Sequence, residues 1–140
     1  MISSGLLTSA KDDWETPLWL FKQLDDEFHF TMDAAASDTN HKCEIYFTKE
    51  DNALLRNWGG ETVFCNPPYG KGIGKWVEKA YRESRKPGTT VVMLIPARTD
   101  TKWFHNYILD VAEIRFIKGR LRFSGATVNA PFPSMVVVYR

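Results

Sequence analysis

Thr62-Val63-Phe64-Cys65-Asn66-Pro67-Pro68-Tyr69-Gly70 is a short β-prone run cut off by two prolines. Proline cannot donate a ladder hydrogen bond, so a strand over residues 62–65 must end at Asn66 and deliver its next side chains to the edge of the sheet. In open α/β sheets that edge is where ligands bind. What arrives there is a neutral amide (Asn66), a stiff backbone with carbonyls free to accept, and an aromatic plane (Tyr69). Those parts suit holding a flat, amine-bearing ring by its edge and its face. A plain strand-terminating turn uses the same prolines and glycine. A proline-rich peptide ligand would need a residue between the proline pair and the tyrosine, and a second proline cluster. Asn placed after an apolar strand and directly before Pro-Pro favours the binding reading.

Working outward, 140 residues suit one domain with one core. Apolar residues at 44% and charged residues at 25% are ordinary globular values. The chain opens on no charged-then-apolar leader pattern and holds no apolar run of bilayer-spanning length, so the expectation is a soluble, cytoplasmic protein. Cys43 and Cys65 form neither a CxxC nor a zinc spacing, and His41 two residues before Cys43 is an isolated pair, so no metal is expected.

The net charge of +1 hides a division. Residues 1–69 hold five Lys/Arg against twelve Asp/Glu, a net −7, and residues 70–140 hold thirteen against five, a net +8. Either the C-terminal half meets a polyanion, or the two halves interleave and the charges are solvated surface.

Residues 1–11 read as a loose arm. Asp12-Asp13-Trp14-Glu15-Thr16-Pro17 leads into a helix to about Glu27, with Thr16 as cap, Pro17 as first residue, and Leu18, Phe21, Leu24 and Phe28 as its buried stripe. Trp14 is either a lid on the core or a ring stacked on a ligand. Residues 28–33 alternate as a strand that closes on Asp33, followed by Ala34-Ala35-Ala36. An acid there would repel phosphate, so a cationic ligand fits better than a nucleotide; a turn or cap role for Asp33 stands beside it. Asp51 is a second acid open to either use, at the start of one or two helical turns that end at Gly59-Gly60.

Gly70-Lys71-Gly72-Ile73-Gly74-Lys75 fails the phosphate-loop template, because Tyr69 stands where glycine is needed and Trp76 where Ser or Thr is needed. It is expected to form a flexible basic lip. A helix with Trp76, Val77, Ala80 and Tyr81 inside and Lys79, Arg82, Arg85 and Lys86 outside runs until Pro87-Gly88. Residues 89–95 form a strand buried on both faces, Arg98 lies in its exit loop, and a helix with Trp103, Phe104, Tyr107 and Ile108 returns. After a strand at residues 113–117, Lys118, Arg120 and Arg122 alternate with apolar residues, as in a ribbon facing phosphates or a charge-protected edge strand. Residues 135–139 are a last strand. Strands alternating with helices give an α/β sheet with crossover connections.

Asn66-Pro67-Pro68-Tyr69 resembles the catalytic loop of S-adenosylmethionine-dependent amino-methyltransferases. Together with Trp14-Glu15-Thr16-Pro17, Asp33-Ala34-Ala35, Asp51-Asn52-Ala53-Leu54 with Trp58 after it, and Ala130-Pro131-Phe132-Pro133-Ser134, the chain resembles the Dam-type DNA N6-adenine methyltransferases of phages and prophages. The resemblance implies a Rossmann-like methyltransferase fold: a mostly parallel sheet, helices on both faces, and an antiparallel C-terminal strand. It implies S-adenosylmethionine held against Trp14, Thr16, Pro17, Asp33, Ala34, Ala35 and Asp51, catalysis by Asn66, Pro67, Pro68 and Tyr69, and double-stranded DNA as partner. The glycine-rich loop that broader methyltransferases carry after their first strand is missing. Candidate DNA contacts are Lys71, Lys75, Arg98, Lys118, Arg120 and Arg122. In the implied mechanism the Asn66 oxygen and the Pro67 carbonyl accept the two hydrogens of a flipped adenine's amine while Tyr69 stacks on the ring. RNA or protein-glutamine methylation, or a non-catalytic nucleic-acid-binding module of the same shape, are the alternatives. With no room expected for a separate target-recognition domain, specificity would fall to residues 70–75 and 118–129.

Overall fold

The computed structural model describes residues 14–140, so the loose arm expected at residues 1–11 lies outside the described residues. In chain order the elements are α1 (Leu18–Phe28), β1 (Met32–Asp33), β2 (Ile45–Tyr46), a 3-10 turn (Ala53–Leu55), β3 (Thr62–Cys65), α2 (Ile73–Ser84), β4 (Thr90–Pro96), α3 (Lys102–Tyr107), β5 (Glu113–Phe116) and β6 (Ser134–Tyr139). The six strands form one sheet in the order β2-β1-β3-β4-β6-β5. β1 to β4 run parallel, and β6 is antiparallel to both β4 and β5. This is the mixed, Rossmann-like sheet with an antiparallel last strand that the sequence led us to expect.

β4 sits at the centre because its apolar run leaves no polar face, and Val91 to Pro96 are all buried. Register then sorts the two faces, since side chains alternate along each strand. Phe64, Val92 and Val138 are in register on one face, where Phe21 of α1 meets Phe64 edge-on at 5.1 Å. Val63, Val91 and Tyr139 share the other, where Tyr139 meets Tyr81 of α2 and donates its hydroxyl to the carbonyl of Tyr107 in α3 at 2.6 Å. Helices therefore cover both faces.

Several local expectations change. α1 begins at Leu18 with Pro17 as the residue flanking its N-terminus and with no side-chain cap; it buries Leu20, Phe21 and Leu24, while Leu18 is 55% exposed. The buried stripe therefore includes Leu20 beside Phe21 and Leu24 and leaves Leu18 to solvent. His29 in the left-handed region (φ 55°) ends α1 and shortens β1 to two residues. α2 starts at Ile73, so the expected basic lip keeps only residues 70–72 as loop. Gly74 is the first-turn residue that lets Trp103 approach, since a Cβ there would sit 3.2 Å from Trp103 Cδ1.

Residues 117–133 contain no strand, although a ribbon was expected across residues 118–122. Their alternation is real: Leu121 and Phe123 are buried and Lys118, Arg120 and Arg122 exposed. The apolar members are used over the sheet's rim instead, with Phe123 against Trp14 at 5.3 Å and Tyr69 at 6.4 Å. The backbone closes on itself through Ala130 N–H donating to the carbonyl of Leu121 at 2.7 Å.

Candidate active site

From β1 the chain moves to β2 on one side, and β3 takes the opposite side. The carboxyl ends of β1 and β3 are thus the point where strand order reverses, the usual site of a crevice in open sheets. A cavity of about 820 Å³ lies there. Asp33 from the end of β1 and Asn66 from the end of β3 both line it, with Trp14, Thr16, Pro67 and Pro68.

Asn66 is held by its nitrogen. Nδ2 donates to the Trp14 carbonyl and to Thr16 Oγ1 at 2.9 Å. A carbonyl can only accept, so the amide cannot be turned the other way without setting two acceptors face to face. Oδ1 is therefore left over, buried and without a hydrogen-bond partner. A buried acceptor left unpaired costs about 1–3 kcal/mol, and a ligand N–H would recover it.

Asp33 is 3% exposed. Its oxygens accept from the backbone N–H groups of Ala35 at 3.3 Å and Lys42 at 2.9 Å, and no ion pair reaches it among the described residues. Burial raises its carboxyl above the ordinary value despite those bonds and the nearby Lys42 charge. Ala34 and Ala35 follow it, and with Ala36 they give the cavity a wall of small side chains. The charged lining holds four acids, Glu15, Asp33, Asp38 and Glu50, against Lys42 and Lys49. A cation suits that wall and a phosphate does not.

Three expected site residues lie elsewhere. Tyr69 is 4% exposed and does not line the cavity; its hydroxyl donates to the Leu94 carbonyl at 3.0 Å and its ring packs against Phe132 at 5.6 Å. Burial raises its phenol well above the ordinary value. Its bond to Leu94 and its packing against Phe123 and Phe132 tie the ring into the core, and the chain turns just after it at Gly70, with φ of 110°. Asp51 does not line the cavity either: its Oδ2 accepts from Thr48 N–H at 2.8 Å and Thr48 Oγ1 at 3.0 Å, the turn-capping use open to it from the start. Pro17 is buried at the start of α1, outside the lining. Thr16, expected to cap α1, instead accepts from Asn66.

Sequence reasoning missed Phe47, Asn52, Trp76 and Ser124, which also line the cavity. Trp76 reads as helix core by spacing, and half of it is. Ser124 carries no local signal, because its position depends on the fold-back of residues 117–133; its N–H donates to the Glu15 carbonyl at 2.9 Å and its hydroxyl to the Thr16 carbonyl at 3.2 Å.

The six candidate DNA-contact residues do not enter the cavity. Lys71 follows β3, Arg98 follows β4 and Lys118 follows β5, and these strands all end at the rim that carries Asn66. Lys75 lies in the first turn of α2, and Arg120 and Arg122 in the fold-back segment. All six are exposed, and none is ion-paired among the described residues. Burial and the nearby Asp33 push the Cys43 thiol up to about 12 and the Cys65 thiol well above its ordinary value, which disfavours the thiolate form at both. Among the described residues no group of side chains has the makings of a metal site, and no helix is long and apolar enough to cross a membrane.

The family described as DNA N-6-adenine-methyltransferase (Dam) matches residues 3–138. The chain belongs to the Dam family. A DNA N-6-adenine-methyltransferase of Haemophilus phage HP1 is 34% identical over 119 residues, covering 84% of this chain and 68% of that protein. One of Escherichia phage T1 is 35% identical over 115 residues, covering 81% of this chain and 48% of that protein. Asp33 and Asn66 thus share one cavity, an acid-rich wall on one side and an unpaired acceptor on the other.

Proposed function

We propose that this chain transfers a methyl group from S-adenosylmethionine to the exocyclic N6 of an adenine in double-stranded DNA. The observation that carries the reading is the unpaired Oδ1 of Asn66, pinned by its own nitrogen at the edge of a cavity that also holds a buried carboxylate. Family membership supports the reaction class, and the names of the phage relatives support adenine in DNA as the target.

The donor supplies an electrophilic methyl on a sulfonium. The chain's residues fit its charges: Asp33 with Ala34 and Ala35 would hold the cationic portion, and the four acids of the lining outnumber Lys42 and Lys49. Adenine's amine is a weak nucleophile because its lone pair is delocalised into the ring. Asn66 Oδ1 and the Pro67 carbonyl accept its two hydrogens and favour a pyramidal nitrogen whose lone pair is free to attack. No strong base is needed first, since the amine proton becomes acidic only once nitrogen is alkylated. Orientation and exclusion of water carry most of the rate. An adenine reaches this depth only when turned out of the duplex, at a cost of a few kcal/mol. With Tyr69 outside the lining, the rings that line the cavity, Trp14, Phe47 and Trp76, offer the stacking surface.

Incubation with donor labelled at the methyl and adenine-containing duplex DNA should place label on N6. Asn66→Ala should lose at least about 100-fold in kcat, the scale of one lost transition-state contact, with circular dichroism and Tm near those of the parent. Label on RNA or protein instead, or full activity in Asn66→Ala, contradicts the proposal.

A further inference from the structure

We infer that Thr16 is a positioning residue for the reaction, acting through Asn66 rather than on the methyl donor. The inference rests on the proposed adenine chemistry for its meaning, and on geometry for its content. Thr16 is 3% exposed, its Oγ1 accepts from Asn66 Nδ2 at 2.9 Å, and the Trp14 carbonyl takes the second hydrogen of the same nitrogen. Two acceptors on one side of a primary amide leave the oxygen on the other side. Were the amide reversed, it would offer N–H groups to an amine that itself offers N–H groups, and no bond would form. The orientation of Asn66 is therefore what separates a productive site from an inert one; the Trp14 carbonyl fixes which way the amide faces, and Thr16 is the side chain that holds it in place.

The placement of Thr16 is itself secured from a distant segment. Its carbonyl accepts from Ser124 Oγ, and the neighbouring Glu15 carbonyl accepts from Ser124 N–H. These backbone bonds fix the start of α1 and with it the direction of the Thr16 hydroxyl toward Asn66. Neither helix capping nor donor contact accounts for a threonine hydroxyl aimed at an amide nitrogen 50 residues away in sequence.

Thr16→Val keeps the shape and removes the hydroxyl. The expected result is a loss in kcat on the order of tenfold, the worth of one net hydrogen bond, with the donor's Kd by calorimetry and the KM for DNA little changed. Thr16→Ser should recover the rate that Thr16→Val loses. In an Asn66→Ala background Thr16→Val should cost nothing further, as residues that act as one unit are not additive. A rise in donor Kd with kcat preserved, or an additive loss in the double variant, overturns the inference. A second readout needs no turnover: in the protein alone, the side-chain NH2 resonances of Asn66 should shift and exchange faster in Thr16→Val, and unchanged resonances also overturn it. If the parent protein transfers no methyl to adenine, the proposed function fails while these resonances still decide the Thr16–Asn66 bond.

Discussion

At the residue scale Asp33 carries a conflict between stability and binding. Burial raises its folded-state pKa above the unfolded value of about 3.9. The folded protein then holds the proton more tightly than the unfolded chain, so the contribution of Asp33 is most favourable below the unfolded value and declines as pH rises through the folded one. Asp33→Asn does not titrate. Its stability relative to the parent should therefore increase as pH rises through this window and level off above it, whatever constant offset the altered hydrogen bonds bring. Urea titrations of both proteins across mildly acidic to neutral pH measure that difference, and a flat difference contradicts the account. A cationic donor reverses the balance: its affinity for the parent should weaken as pH falls through the raised pKa, and Asp33→Asn should bind it weakly and without that pH dependence. Asp33 and Asn66 were legible because strand ends are marked in sequence, by Pro67-Pro68 in one case and by the run of alanines in the other. The cap expected of Thr16 is not made, although a threonine before proline has that local use, and its place on the cavity wall is the one its other reading asked for. Only the tertiary return of the Asn66 loop reveals its bond to Asn66.

At the scale of elements, the wall of the cavity formed by Asn52 and Ala53 is held by Trp58 and Glu83. Trp58 is fully buried, its indole N–H donates to the Ala53 carbonyl at 3.1 Å, and its backbone N–H donates to Glu83 Oε1 at 2.6 Å. Lys79 and Lys86 pair with the same carboxylate at 3.2 Å and 2.8 Å. Burial opposes ionisation of Glu83, but the bonds from Lys86, Trp58 N–H and Lys79 together outweigh it and hold the carboxyl below its ordinary value. That contribution is present above the unfolded pKa of about 4.3 and is lost as pH falls through the lower folded one. Glu83→Ala leaves the Trp58 N–H without a partner and should cost about 2–3 kcal/mol at pH 7. Glu83→Gln, which keeps an acceptor, should cost about half as much. Trp58→Ala should cost about 3–5 kcal/mol. The gap between parent and Glu83→Ala should narrow on acidification, and an equal gap at pH 7 and pH 3 by chemical denaturation contradicts the ion-pair account. β3, β4, α2 and β6 were legible from continuous apolar runs and helical spacing. β1 was legible at its end, Asp33, but not in its length, and β2 was not legible, because two-residue strands are defined by pairing with neighbours, Met32 with both Val63 and Ile45, and not by a pattern of their own.

At the scale of the molecule, the sheet order decides what the divided charge means. β2, β1 and β3 come from the acidic half of the sequence and β4, β6 and β5 from the basic half, so the halves lie side by side and do not interleave. Outside the sheet the halves do meet: α1 reaches across one face to pair Glu27 with Arg115 at 2.6 Å, Ser124 bonds the Glu15 and Thr16 carbonyls, and Glu83 of α2 bonds Trp58 N–H. Acids gather in the cavity wall, while Lys71 after β3, Arg98 after β4 and Lys118 after β5 leave the sheet at the same rim. Each phosphate contact releases counterions and steepens the dependence of DNA affinity on salt by about 0.9 in log–log slope. Replacing Lys118, Arg120 and Arg122 together by alanine should therefore flatten that slope by about 3 if each meets a phosphate, with the donor's Kd unchanged because none of them lines the cavity. Arg82, tied to Glu78 at 2.8 Å on the outer face of α2, is the control: Arg82→Ala should leave the slope as it was. Affinities for one duplex, measured by fluorescence anisotropy at several salt concentrations, separate the cases. A triple variant whose slope matches the parent would place the DNA on a different face, and a slope that falls equally in Arg82→Ala would mean that net charge, not the rim, is being read.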